Sequence, residues 1–275
     1  MSSAASQSPA SDLDRRHLLD DEQVINFIIR GYHIVEPDLP AGLNEAICAD
    51  LDALERNPGD GILDAVPKLH EVYNHPDVRG ALISILGADY QMHSHRHWHK
   101  RPGPCGYLYW HQDGTNQRHH ETRTVLGMYY PHDVTPELGP TIVVPGTHFR
   151  NCPTDRMATY LNIRGQVPLT VKAGTVAITH YDIWHAAAAN RTDRTRHMLK
   201  FLFFRGSEPT APSWNHDPAK AAELAGQRMT FDPAIPCSQS DQYKQRALRR
   251  HMWRHMCGGE APMAAANHGS KKSGY

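Results

Sequence analysis

Cysteine is scarce, with five residues in a chain of 275. They stand apart at Cys48, Cys105, Cys152, Cys237 and Cys257, without a CxxC pair. That spacing offers neither a disulfide framework nor a cysteine-rich zinc site, and it fits a reducing cytoplasm. Excess charge is absent too, since Lys plus Arg and Asp plus Glu both total 29. A protein that grips nucleic acid by counterion release carries a basic surplus, so no nucleic-acid partner is expected. No run approaches the ~18 apolar residues of a membrane span, so no membrane partner is expected either. Neither GxGxxG nor a P-loop pattern occurs, which argues against a nucleotide-binding α/β fold. The opening MSSAASQSPASDLDRRH lacks an apolar core and reads as a disordered leader over residues 1–19 rather than a signal peptide. No internal repeat is visible.

What is present is an ordinary globular composition, 40% hydrophobic and 21% charged, with a conspicuous 20 histidines. The apolar spacing Val24, Ile25, Phe27, Ile28, Ile29 predicts a helix over 20–30, opened by Asp20 and Asp21 and closed by Gly31. A short strand is expected at 32–35. Further helices are expected over 43–56, from Pro76 to Leu86 and over 241–255. From Tyr90 the period falls to two. Candidate strands are 91–100, 107–110, 122–130, 141–144, 167–171, 175–179 and 196–205, separated by Gly and Pro groups. Seven short strands after a helical opening predict a mostly β fold with flanking helices, a sandwich or jelly roll. One domain is expected over 20–257, its β core about 90–206 and its helical end about 215–257, with a disordered tail over 258–275. The basic residues of the last helix (Lys244, Arg246, Arg249, Arg250, Arg254) read as a solvated face, phosphate contact being the alternative.

Histidine is the commonest metal-binding side chain, so spacing decides what the histidines mean. In Trp110-His111-Gln112-Asp113-Gly114, positions 111 and 113 point to one side of an extended segment. An imidazole and a carboxylate can meet there on one ion. A second imidazole from another strand, His185 in Ile183-Trp184-His185, would complete the two-His, one-carboxylate set that leaves positions open on iron(II). HxD alone arises often by chance; the surroundings add weight. Arg196 follows His185 by eleven residues at the head of an apolar strand, and a guanidinium there can take a carboxylate with two parallel hydrogen bonds. His93, His95, His97 and His99 alternate and would share one strand face, too widely spread for four to hold one ion. They read as a polar face on which one or two rings line a pocket. His119 and His120 read as loop residues, exposed or touching substrate. His148 reads as structural, with Thr147 capping a turn.

The stretch 103–205 resembles the phytanoyl-CoA dioxygenase family of iron(II)/2-oxoglutarate oxygenases. The resemblance is carried by WHQDG at 110–114, PGTH at 145–148 where the family commonly has PGSH, and WHAAAANRTDRTR at 184–196. FIIRGYHIV at 27–35 is similar to the family's opening helix and strand. The family's ENG segment reads Glu137-Leu138-Gly139 here, a departure that bears on loop detail. The resemblance implies a double-stranded β-helix, the cupin-like jelly roll. It implies iron(II) held by His111, Asp113 and His185, with 2-oxoglutarate anchored by Arg196 and O2 as oxidant. Tyr129, on the strand after the HxD turn, would lie against 2-oxoglutarate. The chemistry implied is decarboxylation to succinate and CO2 coupled to hydroxylation of a small molecule. Halogenating relatives lack the carboxylate that Asp113 supplies. Two rivals stay open, a cupin-like metalloenzyme that does not use 2-oxoglutarate and a non-catalytic binding module. Neither needs Arg196. The substrate and the oligomeric state are not legible.

Overall fold

The computed structural model describes residues 13–153, 156–157, 160–228 and 238–259. The expected leader up to residue 12 and the tail from residue 260 lie outside them. Residues 14–19, expected to belong to the leader, are instead built into the fold. Leu19 is buried, and its N–H donates to Ser84 Oγ at 3.0 Å. The imidazole of His17 meets Asp77 at 2.6 Å.

Helix α1 (Asp21–Arg30) begins where the sequence places it, because Asp20 and Gln23 cap each other reciprocally. Asp20 Oδ1 accepts from the Gln23 N–H at 2.8 Å, and the Gln23 side chain accepts from the Asp20 N–H at 2.9 Å. Strand β1 (Tyr32–Val35) follows, then α2 (Leu43–Ala53), the short α3 (Ile62–Ala65) and α4 (Leu69–Tyr73), and α5 (Pro76–Leu86). The β core consists of β2 (Gln91–Arg101), β3 (Leu108–His111), β4 (Thr124–Tyr129), β5 (Thr141–Val143), β6 (Arg156–Met157), β7 (Val167–Pro168), β8 (Val176–His180), β9 (His185–Ala187) and β10 (Arg196–Phe204). Helices α6 (Pro218–Arg228) and α7 (Gln239–Met256) close the chain.

The strands form two antiparallel five-stranded sheets, ordered β1-β8-β4-β10-β2 and β6-β3-β9-β5-β7. Side chains alternate between the faces of the first sheet. Val125, Tyr129, Val176, Ile178, Leu199, Phe201 and Phe203 join the helices in the main core. Their neighbours Leu126, Met128, Ala177 and Met198 point the other way, into the space between the sheets. Trp110, Ile142, Val144, Trp184 and Ala186 form a separate apolar cluster with the second sheet. The architecture is thus the jelly roll expected, with helices laid over one sheet. Among the described residues no helix is long and apolar enough to cross a membrane.

Helix α7 departs from the expected solvated face. Arg249 is fully buried, along with Gln245, Met252 and Met256, so one of the five basic residues belongs to the packed side.

Candidate metal centre

Pairing brings two of the expected ligands together. His111 at the end of β3 lies directly opposite His185 at the start of β9, and opposed residues share a face. Their ring centres are 4.1 Å apart. Asp113 sits just past the strand, with Oδ1 3.5 Å from His111 Nε2 and Oδ2 3.5 Å from His185 Nε2. Among the described residues, these three form the one group whose possible ligand atoms all lie within 4.8 Å of one another.

The rings are oriented by their far nitrogens. His111 Nδ1 donates to the Tyr109 carbonyl at 2.9 Å, and His185 Nδ1 to the Ile183 carbonyl at 3.1 Å. A carbonyl only accepts, so each Nδ1 carries the proton and each Nε2 presents a lone pair toward Asp113. Burial holds the His185 ring down to about 4, keeping it neutral at physiological pH. Burial pushes the Asp113 carboxyl up, but the His185 ring and the Lys200 ammonium outweigh it and bring it to about 2. Lys200 Nζ donates to Asp113 Oδ2 at 2.8 Å.

One cavity runs from this group into the space between the sheets. His111, His185, Lys200, Met198, Arg196 and His99 line it, with Leu108, Met128, Thr141, Ala186 and Ala187. Arg196 is buried and donates through Nη1 to the Gly139 carbonyl at 2.7 Å, while its Nε has no partner. His99 Nε2 is likewise buried without a partner. Unpaired buried polar atoms are costly, and both belong to residues that line this cavity. Burial lowers Arg196 only to about 10, so the guanidinium stays charged.

The Glu137-Leu138-Gly139 segment turns out to hold Arg196. Gly139 has φ 74°, and a Cβ there would lie 2.8 Å from the Ala188 oxygen. Leu138 is buried, which accounts for an apolar residue in that loop. PGTH supports the other side. The Thr147 hydroxyl donates to the Val144 carbonyl at 2.6 Å and accepts from the Trp184 N–H at 2.9 Å, fixing the residue before His185.

Tyr129 does not belong to this site. It points into the main core beneath the helices, and its hydroxyl donates to Asn44 Oδ1 of α2 at 2.6 Å. The residue that β4 turns into the cavity is its neighbour Met128. Of the four alternating histidines, His99 lines the cavity, and His97 lies across from Lys200. His95 touches His97 through Nε2 and meets Asp60 through Nδ1 at 3.0 Å. Lys200 was not singled out from the sequence. Its signal is a charged residue four positions after Arg196 in a largely apolar strand, hence on the same face.

Asp182 was also missed. Its carboxylate accepts from Gln112 Nε2 at 2.9 Å and pairs with His119 at 3.1 Å, while its N–H donates to His180 Nδ1 at 3.1 Å. His119 is thereby tied to the HxD turn rather than free in a loop. Gly114 packs so closely on this carboxylate that a Cβ would stand 1.8 Å from Oδ1. Gly114→Ala is therefore expected to displace the HxD turn and weaken divalent-metal binding by about 10–100-fold, as loss of a ligand-orienting partner does. Calorimetric titration with Ni2+ checks this, and wild-type affinity in the variant would show that the turn is not held by Asp182.

His180 is fully buried, and burial lowers it to about 4; its unfolded value is near 6.5. Between those values the unfolded chain takes up a proton that the folded one refuses, so stability falls as pH drops from about 6.5 toward 4. The loss is on the order of 3 kcal/mol for this one ring. Melting curves at pH 7.5 and 4.5 are expected to differ accordingly, and less so for His180→Gln. Equal sensitivity in that variant would assign the acid lability to other groups.

A jelly roll with two imidazoles and a carboxylate gathered beside a buried arginine is the arrangement of the non-haem, metal-dependent oxygenases. The family model described as Phytanoyl-CoA dioxygenase (PhyH) matches residues 31–198. The chain belongs to the phytanoyl-CoA dioxygenase family. Comparison with curated proteins gave no match. Among solved structures, iron-bound HygX from Streptomyces hygroscopicus is similar at 16% identity, covering 69% of this chain and 88% of HygX, with a TM-score of 0.57. HygX with nickel, 2-oxoglutarate and hygromycin B matches at 15% identity over 67% of this chain and 87% of that one, with a TM-score of 0.56. SnoK, a non-heme alpha-ketoglutarate-dependent carbocyclase from nogalamycin biosynthesis, matches at 19% identity over 83% of this chain and 97% of its own, with a TM-score of 0.54. At such identities the likeness is one of fold.

Proposed function

We propose that this protein is an iron(II)- and 2-oxoglutarate-dependent dioxygenase that hydroxylates a C–H bond of a small molecule. The carrying observation is that His111 and His185, gathered with Asp113 into one group, line the same cavity as the buried Arg196 with its unpartnered Nε. His111, Asp113 and His185 would hold the iron. Three protein ligands leave positions free, which suits a co-substrate and O2 rather than a closed structural zinc site. Arg196 would take the distal carboxylate of 2-oxoglutarate, and His99 would contact the same co-substrate. When bound, iron with 2-oxoglutarate and O2 supplies the oxidising chemistry, with succinate and CO2 as co-products.

The remaining residues set the conditions for it. Lys200 holds one Asp113 oxygen, which fixes the carboxylate's orientation and offsets its charge. Leu108, Met128, Met198 and Ala187 supply apolar walls to the cavity. A small molecule as substrate is consistent with HygX, which binds hygromycin B. Relatives of this fold include a carbocyclase and an epimerase, so the position of the substrate over the metal, not the fold, determines the outcome.

The test is anaerobic. Iron(II) followed by 2-oxoglutarate is expected to give a visible charge-transfer band in the wild type and none in His185→Ala. Wild type that binds iron without that band would return the chain to the cupin-like, 2-oxoglutarate-independent reading.

A further inference from the structure

A second group of histidines lies away from the cavity. His120 follows the HxD turn in the loop before β4, and His251 and His255 stand one helical turn apart on α7, so they share a face. The His120 ring centre is 5.9 Å from that of His251 and 5.5 Å from that of His255. Two imidazoles on one zinc-like ion, with metal–nitrogen bonds near 2.0–2.1 Å, place their ring centres about 5 Å apart. A carboxylate is at hand, since Glu208 Oε2 lies 3.6 Å from His255 Nε2.

We propose that His120, His251 and His255, with Glu208, form a second metal site for a divalent cation of the zinc, cobalt or nickel type, which fastens α7 to the loop behind the HxD turn. The chemistry of the set favours such a borderline cation over magnesium or calcium, which prefer all-oxygen ligands. Burial lowers both His120 and His255, which leaves them neutral and able to ligate at physiological pH. Glu208 and Glu121 offset the nearby Arg123 and Arg205. The same two elements are already joined by Arg118 and Asp241 at 2.8 Å, so the backbone framework that would carry the ligands is in place. The nitrogens are less gathered than those of the first group, and capture needs the rings to turn about their side-chain bonds without moving the helix.

The site stands apart from the proposed catalytic reading, and the experiment separates the two. Metal-free full-length protein is dialysed against Zn2+ and against Co2+, and bound metal per chain is measured. Wild type is expected to hold two equivalents. His185→Ala, and His251→Gln with His255→Gln, are each expected to hold one, and the combined variant none. Zn2+ is expected to raise the melting temperature of His185→Ala but not of the combined variant. The glutamine pair keeps helix propensity and a polar side chain, so its circular dichroism is expected to match the wild type. A single equivalent in wild type, or a second equivalent that survives the glutamine pair, overturns the proposal. Loss of metal only in His185→Ala would leave the catalytic reading standing and remove this one.

Discussion

His185→Ala is expected to abolish succinate formation, by more than about 10^3-fold, while leaving the fold intact. Losing a residue that merely orients a metal ligand costs about 10–100-fold, and His185 would be a ligand itself. It is nearly sealed from solvent and neutral, so truncation strands no charge. Asp113 would keep its hydrogen bond from Lys200, and the apolar walls would be unchanged. Asp113→Ala makes the contrast. It too removes a ligand, but it leaves the Lys200 ammonium, 10% exposed at its side chain, without its counter-charge. Uncovering a buried charge in this way costs roughly 3–5 kcal/mol. The two variants are thus expected to be equally inactive and unequally stable, which iron content, 2-oxoglutarate turnover and urea unfolding would measure together. Equal stability would mean that Lys200 finds another partner or reaches water. Wild-type iron content in His185→Ala would place the metal elsewhere.

Much of this centre was legible because its residues interrupt a pattern. His111 and Asp113 break an aromatic strand at the spacing that puts both on one side, and Arg196 heads a strand that is largely apolar. The eight strands read from the sequence, including Tyr32–Val35, all occur, because period two and the Gly-Pro groups mark them. Strand β9 was not legible. His185-Ala186-Ala187 has no β-branched residue, and it is a strand only because β3 and β5 flank it. Tyr129 shows a different limit. In Thr-Val-Leu-Gly-Met-Tyr every residue after the first is buried, because one face meets the helices and the other the second sheet. Without alternation the phase cannot be read, and a shift of one position exchanges Tyr129 for Met128. The histidines of β2 alternate strictly with Ser94, Arg96 and Trp98, so their common face was readable. Asp182 and Lys200 act through residues far away in sequence, and only the folded register brings them to Asp113 and Gln112.

Arg196→Ala is expected to raise the dissociation constant for 2-oxoglutarate by about 30–4000-fold, corresponding to the roughly 2–5 kcal/mol lost when one side of a buried, hydrogen-bonded charge pair is removed. Iron content should be unchanged, since Arg196 touches none of His111, Asp113 and His185. Arg196→Lys is expected to recover part of the affinity. An ammonium keeps the charge and can still meet the Gly139 carbonyl that Arg196 holds at 2.7 Å, but it cannot offer two parallel donors to a carboxylate. The effect should therefore follow the co-substrate: saturating 2-oxoglutarate restores much of kcat in the lysine variant, whereas no concentration of it restores His185→Ala. The measurement is the 2-oxoglutarate dependence of the anaerobic charge-transfer band, which reads binding without turnover. If Arg196→Ala binds 2-oxoglutarate like the wild type, the buried guanidinium serves only to hold the Gly139 loop, and Lys200 or His99 must carry the co-substrate's distal charge. A loss of iron in the same variant would point instead to collapse of the cavity, which the far-ultraviolet spectrum and melting temperature would reveal.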